Sequence, residues 1–156
     1  MTMLIEVKTR VAWIIDGKAK KKLETYLLDK EVFAEAEYAV MALLEENKQD
    51  GTAEDFEITG LKQSVVKEIV TQYEGEGTFI VTLRDTIHQD DGSEKSIRYK
   101  VLLWADNISE AMNHAREIAQ QGYDMQIDGL KEVSYTYLES EGHEETATEN
   151  RDAGAA

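Results

Sequence analysis

The sequence predicts an α+β fold: a duplicated ββαββ unit with antiparallel sheets, one helix per unit, an approximate two-fold relation between the halves, and a disordered acidic C-terminal tail. Three observations carry this reading. The segment Asp55-Phe56-Glu57-Ile58-Thr59-Gly60-Leu61-Lys62 returns as Asp124-Met125-Gln126-Ile127-Asp128-Gly129-Leu130-Lys131, and a repeated segment constrains the fold before any propensity is consulted. Apolar residues alternate with polar ones in paired runs joined by Asp-Gly, the pattern of hairpins with one buried face. After each hairpin the period changes to that of a helix.

In the first repeat, Ile5, Val7, Thr9, Val11, Trp13 and Ile15 form the period-two run of a half-buried strand. Asp16-Gly17 follows, and both residues tolerate the positive φ of a tight hairpin turn. The returning strand is expected from about Lys20 to Leu28, with Tyr26 and Leu28 on one side. A helix is expected to start near Asp29 or Lys30, with Asp29 as its cap and Val32, Phe33, Ala36, Val40, Leu43 and Leu44 as its apolar positions. Gly51 lies beyond its end. Phe56–Leu61 and Ser64–Thr71 read as two strands, or as one bent at Gly60, where a glycine marks a bulge.

The second repeat keeps this order. Phe79, Val81, Leu83 and Ile87 alternate, Asp91-Gly92 turns the chain, and Ile97, Tyr99, Val101 and Leu103 return. A helix follows over about Asn107 to Gln121, opened by the capping-box pattern Asn107-x-x-Glu110, with apolar Ile108, Ala111, Met112, Ala115, Ile118 and Ala119. Met125 to Leu138 supplies the last strand pair. The turn glycines Gly17 and Gly92 are 75 positions apart, but Gly60 and Gly129 only 69, so the second copy is about six residues shorter after its helix. The expected organisation is one domain over residues 1–138, made of repeats 4–72 and 78–138 joined by a flexible Glu74-Gly75-Glu76-Gly77 linker, and a disordered acidic tail over 139–156.

At 156 residues the chain is long enough to bury its own core, and it has no cysteine, so no disulfide, thiolate metal site or cysteine nucleophile is available. Met1 to Arg10 includes Glu6 and no long apolar run, so neither secretion nor membrane insertion is expected, and the setting is read as cytoplasmic. Net charge is −15, of which residues 139–156 contribute −5, leaving −10 for the remainder. Such a field repels polyanions unless basic residues are gathered on one face.

No constellation in the sequence points to catalysis. His88, His114 and His143 lack metal-ligand spacing and read as solvated surface. Asp90-Asp91-Gly92 lacks the spacing of a calcium loop and reads as a turn. Gly75-x-Gly77 enters a strand, so no helix N-terminus faces a phosphate there. The expectation is a non-enzymatic protein without metal or cofactor.

Strand alternation does predict a charged face. With Val7 and Val11 inward, Lys8 and Arg10 point outward; Arg84, Arg98, Lys100 and Trp104 fall opposite the apolar positions of the second hairpin, and Lys20 and Lys22 add to the basic set. A basic sheet with an aromatic is a track for single-stranded nucleic acid, with cations on phosphates and the ring on a base. The same alternation is what a solvated sheet face shows.

Tyr26-Leu27-Leu28-Asp29 followed by Phe33-Ala34-Glu35-Ala36-Glu37 resembles a bacterial and phage family whose pattern reads Tyr-Leu-Val-Asp, then Phe-Thr-Glu-Ala-Glu. Gly17-Lys18-Ala19-Lys20-Lys21-Lys22 and Glu6-Val7-Lys8-Thr9-Arg10 are similar to it as well, over most of residues 4–138. Thr25 stands where that family usually has proline, and the acidic tail is an addition. The resemblance implies a bacterial or phage setting and a domain of unknown function. The order of four strands and a helix from Phe56 to Gln121 is also similar to Whirly and Pur-alpha-like single-strand binders, a likeness of topology. Acidic C-termini of phage and bacterial single-strand binders recruit replication partners; this tail ends in Gly154-Ala155-Ala156 without their terminal aromatic.

The expected function is thus a single-stranded nucleic-acid-binding or replication-accessory protein acting through Lys8, Arg10, Lys20, Lys22, Arg84, Arg98, Lys100 and Trp104. Its expected partners are single-stranded DNA or RNA, a protein reached through the tail and a second copy of the chain, with no membrane. The alternative is a protein-interaction or assembly module with no nucleic-acid ligand.

Overall fold

The computed structural model describes residues 2–122 and 125–139; the expected tail beyond Glu139 lies outside the described residues. The order is β1 (Met3–Ile15), β2 (Lys18–Lys30), α1 (Phe33–Gln49), β3 (Ala53–Gln63), β4 (Val66–Ile69), β5 (Gly77–His88), β6 (Glu94–Ala105), α2 (Ile108–Gln120), β7 (Gln126–Val133) and β8 (Tyr135–Leu138). This is the α+β fold with ββαββ given twice.

Among the described residues two compact units are formed: 2–64 with 135–139, and 65–134. The first has the sheet order β3-β1-β2-β8, the second β4-β6-β5-β7. The short closing strand of each repeat therefore leaves its own repeat: β4 joins the sheet of the second unit and β8 that of the first. Both lie parallel to their neighbours, β8 on β2 and β4 on β6, so the sheets are mixed and not purely antiparallel. Parallel pairing needs a long connection: β5 and its flanking loops supply it between β4 and β6, and the chain from α1 through β7 supplies it between β2 and β8.

Each sheet buries one face beneath its helix. In the first unit Ile5, Val7, Val11, Tyr26 and Leu28 meet Ala36, Val40 and Leu44 of α1. In the second, Phe79, Val81, Leu83, Val101 and Leu103 meet Ala111 and Ala115 of α2. The Asp16-Gly17 hairpin has both residues at positive φ, 54° and 77°, as a two-residue turn with the strand's own twist requires. At Asp91-Gly92 only the glycine is left-handed, and the turn is the longer loop between His88 and Glu94, in which Asp91 Oδ1 accepts from the Ser93 amide at 2.9 Å and its hydroxyl at 2.6 Å.

Helix α2 starts as expected: Asn107 accepts from the Glu110 amide at 2.9 Å, while the Glu110 carboxylate reaches back to the Asp106 amide at 3.0 Å. Helix α1 starts later than expected. β2 continues through Asp29 and Lys30, pairing with Leu4 and Met3, and the N-cap is Val32, without a side-chain cap. Asp29 is instead held by the sheet, accepting from the Tyr137 hydroxyl at 2.9 Å.

The Glu74–Gly77 segment is also not a free linker. A Cβ on Gly75 would lie 2.6 Å from the Ala105 nitrogen and nearer still to its Cα and carbonyl carbon, and the Glu76 amide donates to Asp106 at 3.1 Å. Gly60 and Gly129 do accompany bulges: the register slips at the same place in both repeats, leaving Thr59 and Asp128 as the extra residues.

Burial pushes Tyr26 up to about 12, reinforced by the charge of Glu24, and pushes Tyr137 up to about 12, reinforced by its bond to Asp29. Tyrosine in the unfolded chain loses its proton near 10. Between pH 10 and 12 the unfolded state therefore releases protons that the folded state keeps, and stability falls as pH rises through that window. Urea midpoints should stay level from pH 8 to 10 and drop from 10 to 12, with a smaller drop in Tyr26→Phe.

Candidate nucleic-acid interface

Strand register decides which of the expected cations share a surface. In the second unit Arg84 lies directly across from Arg98, Thr82 from Lys100 and Thr78 from Trp104, all on the sheet face opposite α2. Arg84, Arg98 and Lys100 are brought together at one end of this face. Trp104 lies about 13 Å along β6 from Lys100, at roughly 3.3 Å per residue, with buried Leu102 and Ile80 between, so the ring does not adjoin the cations.

In the first unit Lys8 and Arg10 occupy the face opposite α1. Lys20 and Lys22 do not join them, because they pair with Trp13 and Val11 and so lie on the helix side, beyond its cover, where both are exposed. The lysine that does share the face of Lys8 and Arg10 is Lys21, opposite Ala12.

Carboxylates meet most of these cations. Lys8 Nζ and Lys62 Nζ each lie 3.8 Å from buried Glu6, and Arg10 is 2.5 Å from Glu57. Asp128 sits between Arg98, at 2.9 Å, and Arg84, at 3.6 Å, while Arg84 also bonds Gln126. Lys100 donates to the Thr82 hydroxyl at 3.0 Å. The balance differs between the two faces. On β1–β3 of the first unit, Lys8, Arg10, Lys21 and Lys62 share the face with Glu6, Asp29, Asp55 and Glu57; on β5–β7 of the second, Arg84, Arg98, Lys100 and Lys131 share it with Glu94 and Asp128 alone. Arg98 keeps a side-chain exposure of 68%, and exposed ion pairs of this kind contribute little, so its guanidinium can exchange a carboxylate for another anion.

Asp128 is the residue that sequence reasoning missed. Its signal lay in the repeat itself: at the bulge, where the first copy has Thr59, the second has an acid, and a bulge re-aims the side chain it carries. Of the histidines expected as solvated surface, His88 is exposed, whereas His114 is half-buried. The His114 ring stacks on Tyr73 at 3.8 Å, with Glu110 at 3.7 Å, and His88 Nδ1 lies 3.3 Å from Glu94. His143 lies outside the described residues.

The fold and this face define a two-unit α+β protein with a charged sheet surface. Residues 4–149 match the family described as Domain of unknown function (DUF4494), and the chain belongs to that family. No curated protein and no solved structure matches it. Among the described residues no helix is long and apolar enough to cross a membrane.

Proposed function

We propose that this chain is a non-enzymatic single-stranded nucleic-acid-binding protein whose contact surface is the helix-free face of the second unit's sheet, at Arg84, Arg98 and Lys100. The observation that supports this reading is the charge balance of that face, four cations to two carboxylates, in a chain whose net charge is −15. A local cationic strip is what phosphates need when the overall field repels them. The similarity of strand and helix order to Whirly and Pur-alpha-like binders agrees with it, although β3 lies in the other sheet from β4–β6. In this reading the acidic tail competes for the same strip and recruits a protein partner, and the setting is cytoplasmic, within a bacterial host if the gene is phage-borne.

A salt titration of labelled single-stranded DNA tests the proposal. Log affinity should fall with log salt, and Arg98→Ala should weaken binding at low salt and reduce the slope by about 0.7, the value for one lost single-strand phosphate contact. Lys20→Ala should leave both unchanged. Equal effects of Arg98→Ala and Lys20→Ala would mean diffuse attraction without the proposed strip, and no binding at low salt would favour the protein-interaction module.

A further inference from the structure

The two helices are equivalent in the repeat, yet their outward faces differ. Opposite the buried Ala111 and Ala115, α2 presents Ser109, Asn113, Arg116, Glu117 and Gln120. Opposite its buried Ala36, Val40 and Leu44, α1 presents Ala34, Tyr38 and Met41, with Tyr38 75% and Met41 44% exposed. Positions 34, 38 and 41 follow the three- and four-residue spacing of one helix stripe, so these side chains adjoin. A large apolar side chain exposed alone needs no explanation; a continuous stripe on one helix, matched by a polar stripe on its repeat, points to a covering partner. Glu35, Glu45 and Glu46, all exposed, border it, and Glu37 lies on the other flank.

We propose that the Ala34–Tyr38–Met41 stripe of α1 docks a basic amphipathic helix of another protein, apolar residues on the stripe and lysines or arginines over the flanking glutamates. Charge selects this occupant. A second copy would bring the same glutamates against these, and the chain's own acidic tail would be repelled likewise. The stripe suits the helix-on-helix packing of coiled-coil zippers, in which apolar residues at i, i+3, i+4 and i+7 supply affinity and flanking charges supply orientation. The surface is independent of the nucleic-acid reading, because no residue is shared.

The test uses the full chain and a labelled synthetic helical peptide of about 14 residues, roughly 21 Å long, with leucines on one stripe and lysines elsewhere. Fluorescence anisotropy should show binding that weakens about tenfold or more in Tyr38→Ser and Met41→Ser, which remove apolar surface without changing charge. Glu35→Gln should weaken it less, and a glutamate version of the peptide should not bind. Circular dichroism checks that these exposed substitutions keep the fold. Equal binding by wild type and both serine variants would reduce the effect to general attraction between a basic peptide and an acidic protein and overturn the proposal. Self-association of the wild type in sedimentation, lost in Tyr38→Ser, would overturn it in favour of a second copy.

Discussion

Replacing Phe79 with alanine should destabilise the second unit by about 3–5 kcal/mol, the range for removing a buried aromatic ring from a packed core. Phe79 is the largest of the fully buried side chains and lies on the central strand β5, across from Leu103. The helix above it contributes only Ala111 and Ala115 to the buried set, so short helical side chains leave a space that the ring fills. Ile87→Ala, at a side chain 43% exposed near the end of the same strand, should cost about 1 kcal/mol or less. Urea unfolding followed by amide exchange separates the cases: the Phe79 variant should lose protection in β5–β7 and α2 while β1–β3 keep theirs. A loss below about 1 kcal/mol would mean that the ring does not fill this core.

Gly75→Ala should rank next, at about 1–3 kcal/mol or more, because the new Cβ meets backbone and not a flexible side chain. Its nearest atoms are the nitrogen, Cα and carbonyl carbon of Ala105, which is wholly buried at the end of β6. Relief requires the 74–77 segment to lift from the sheet, and the bond from the Glu76 amide to Asp106 goes with it. Gly51→Ala provides the contrast. There φ is +85° and no atom lies within 4 Å, so only backbone strain is added, about 1 kcal/mol. If the two variants were equally mild, Gly75 would be the simple linker glycine that its glutamate neighbours suggest.

Most elements were legible because local chemistry and burial agree. Asp16-Gly17 specified its turn, Asn107 and Glu110 placed the start of α2, and the glycines at 60 and 129 marked bulges. Where the two disagreed, the sheet won: Asp29 looks like a helix cap, but Tyr26 and Leu28 on the same strand are core residues, and β2 runs on to Lys30. The exchange of β4 and β8 between units was not legible. Both are four-residue strands, too short for alternation to specify a partner or a direction. The cationic face was half legible, since period two assigns a face along one strand but not the carboxylates on its neighbours. Glu57 reaches Arg10, and Asp128 reaches Arg84 and Arg98, across register and bulge that only the folded sheet fixes. Lys20 and Lys22 show the same limit: the two-residue turn fixes them opposite Trp13 and Val11, on the other side from Lys8 and Arg10.

The binding strip of the second unit is tested most directly at Asp128, whose carboxylate holds two of its three cations. Asp128→Asn removes that charge and leaves the bulge and its amide geometry available, so Arg84 and Arg98 become free to meet phosphate. Single-stranded DNA titrations at low salt should show tighter binding for Asp128→Asn than for wild type, with a steeper salt dependence. Unchanged or weaker binding, with the variant's thermal unfolding like that of the wild type, would contradict a nucleic-acid site on this face.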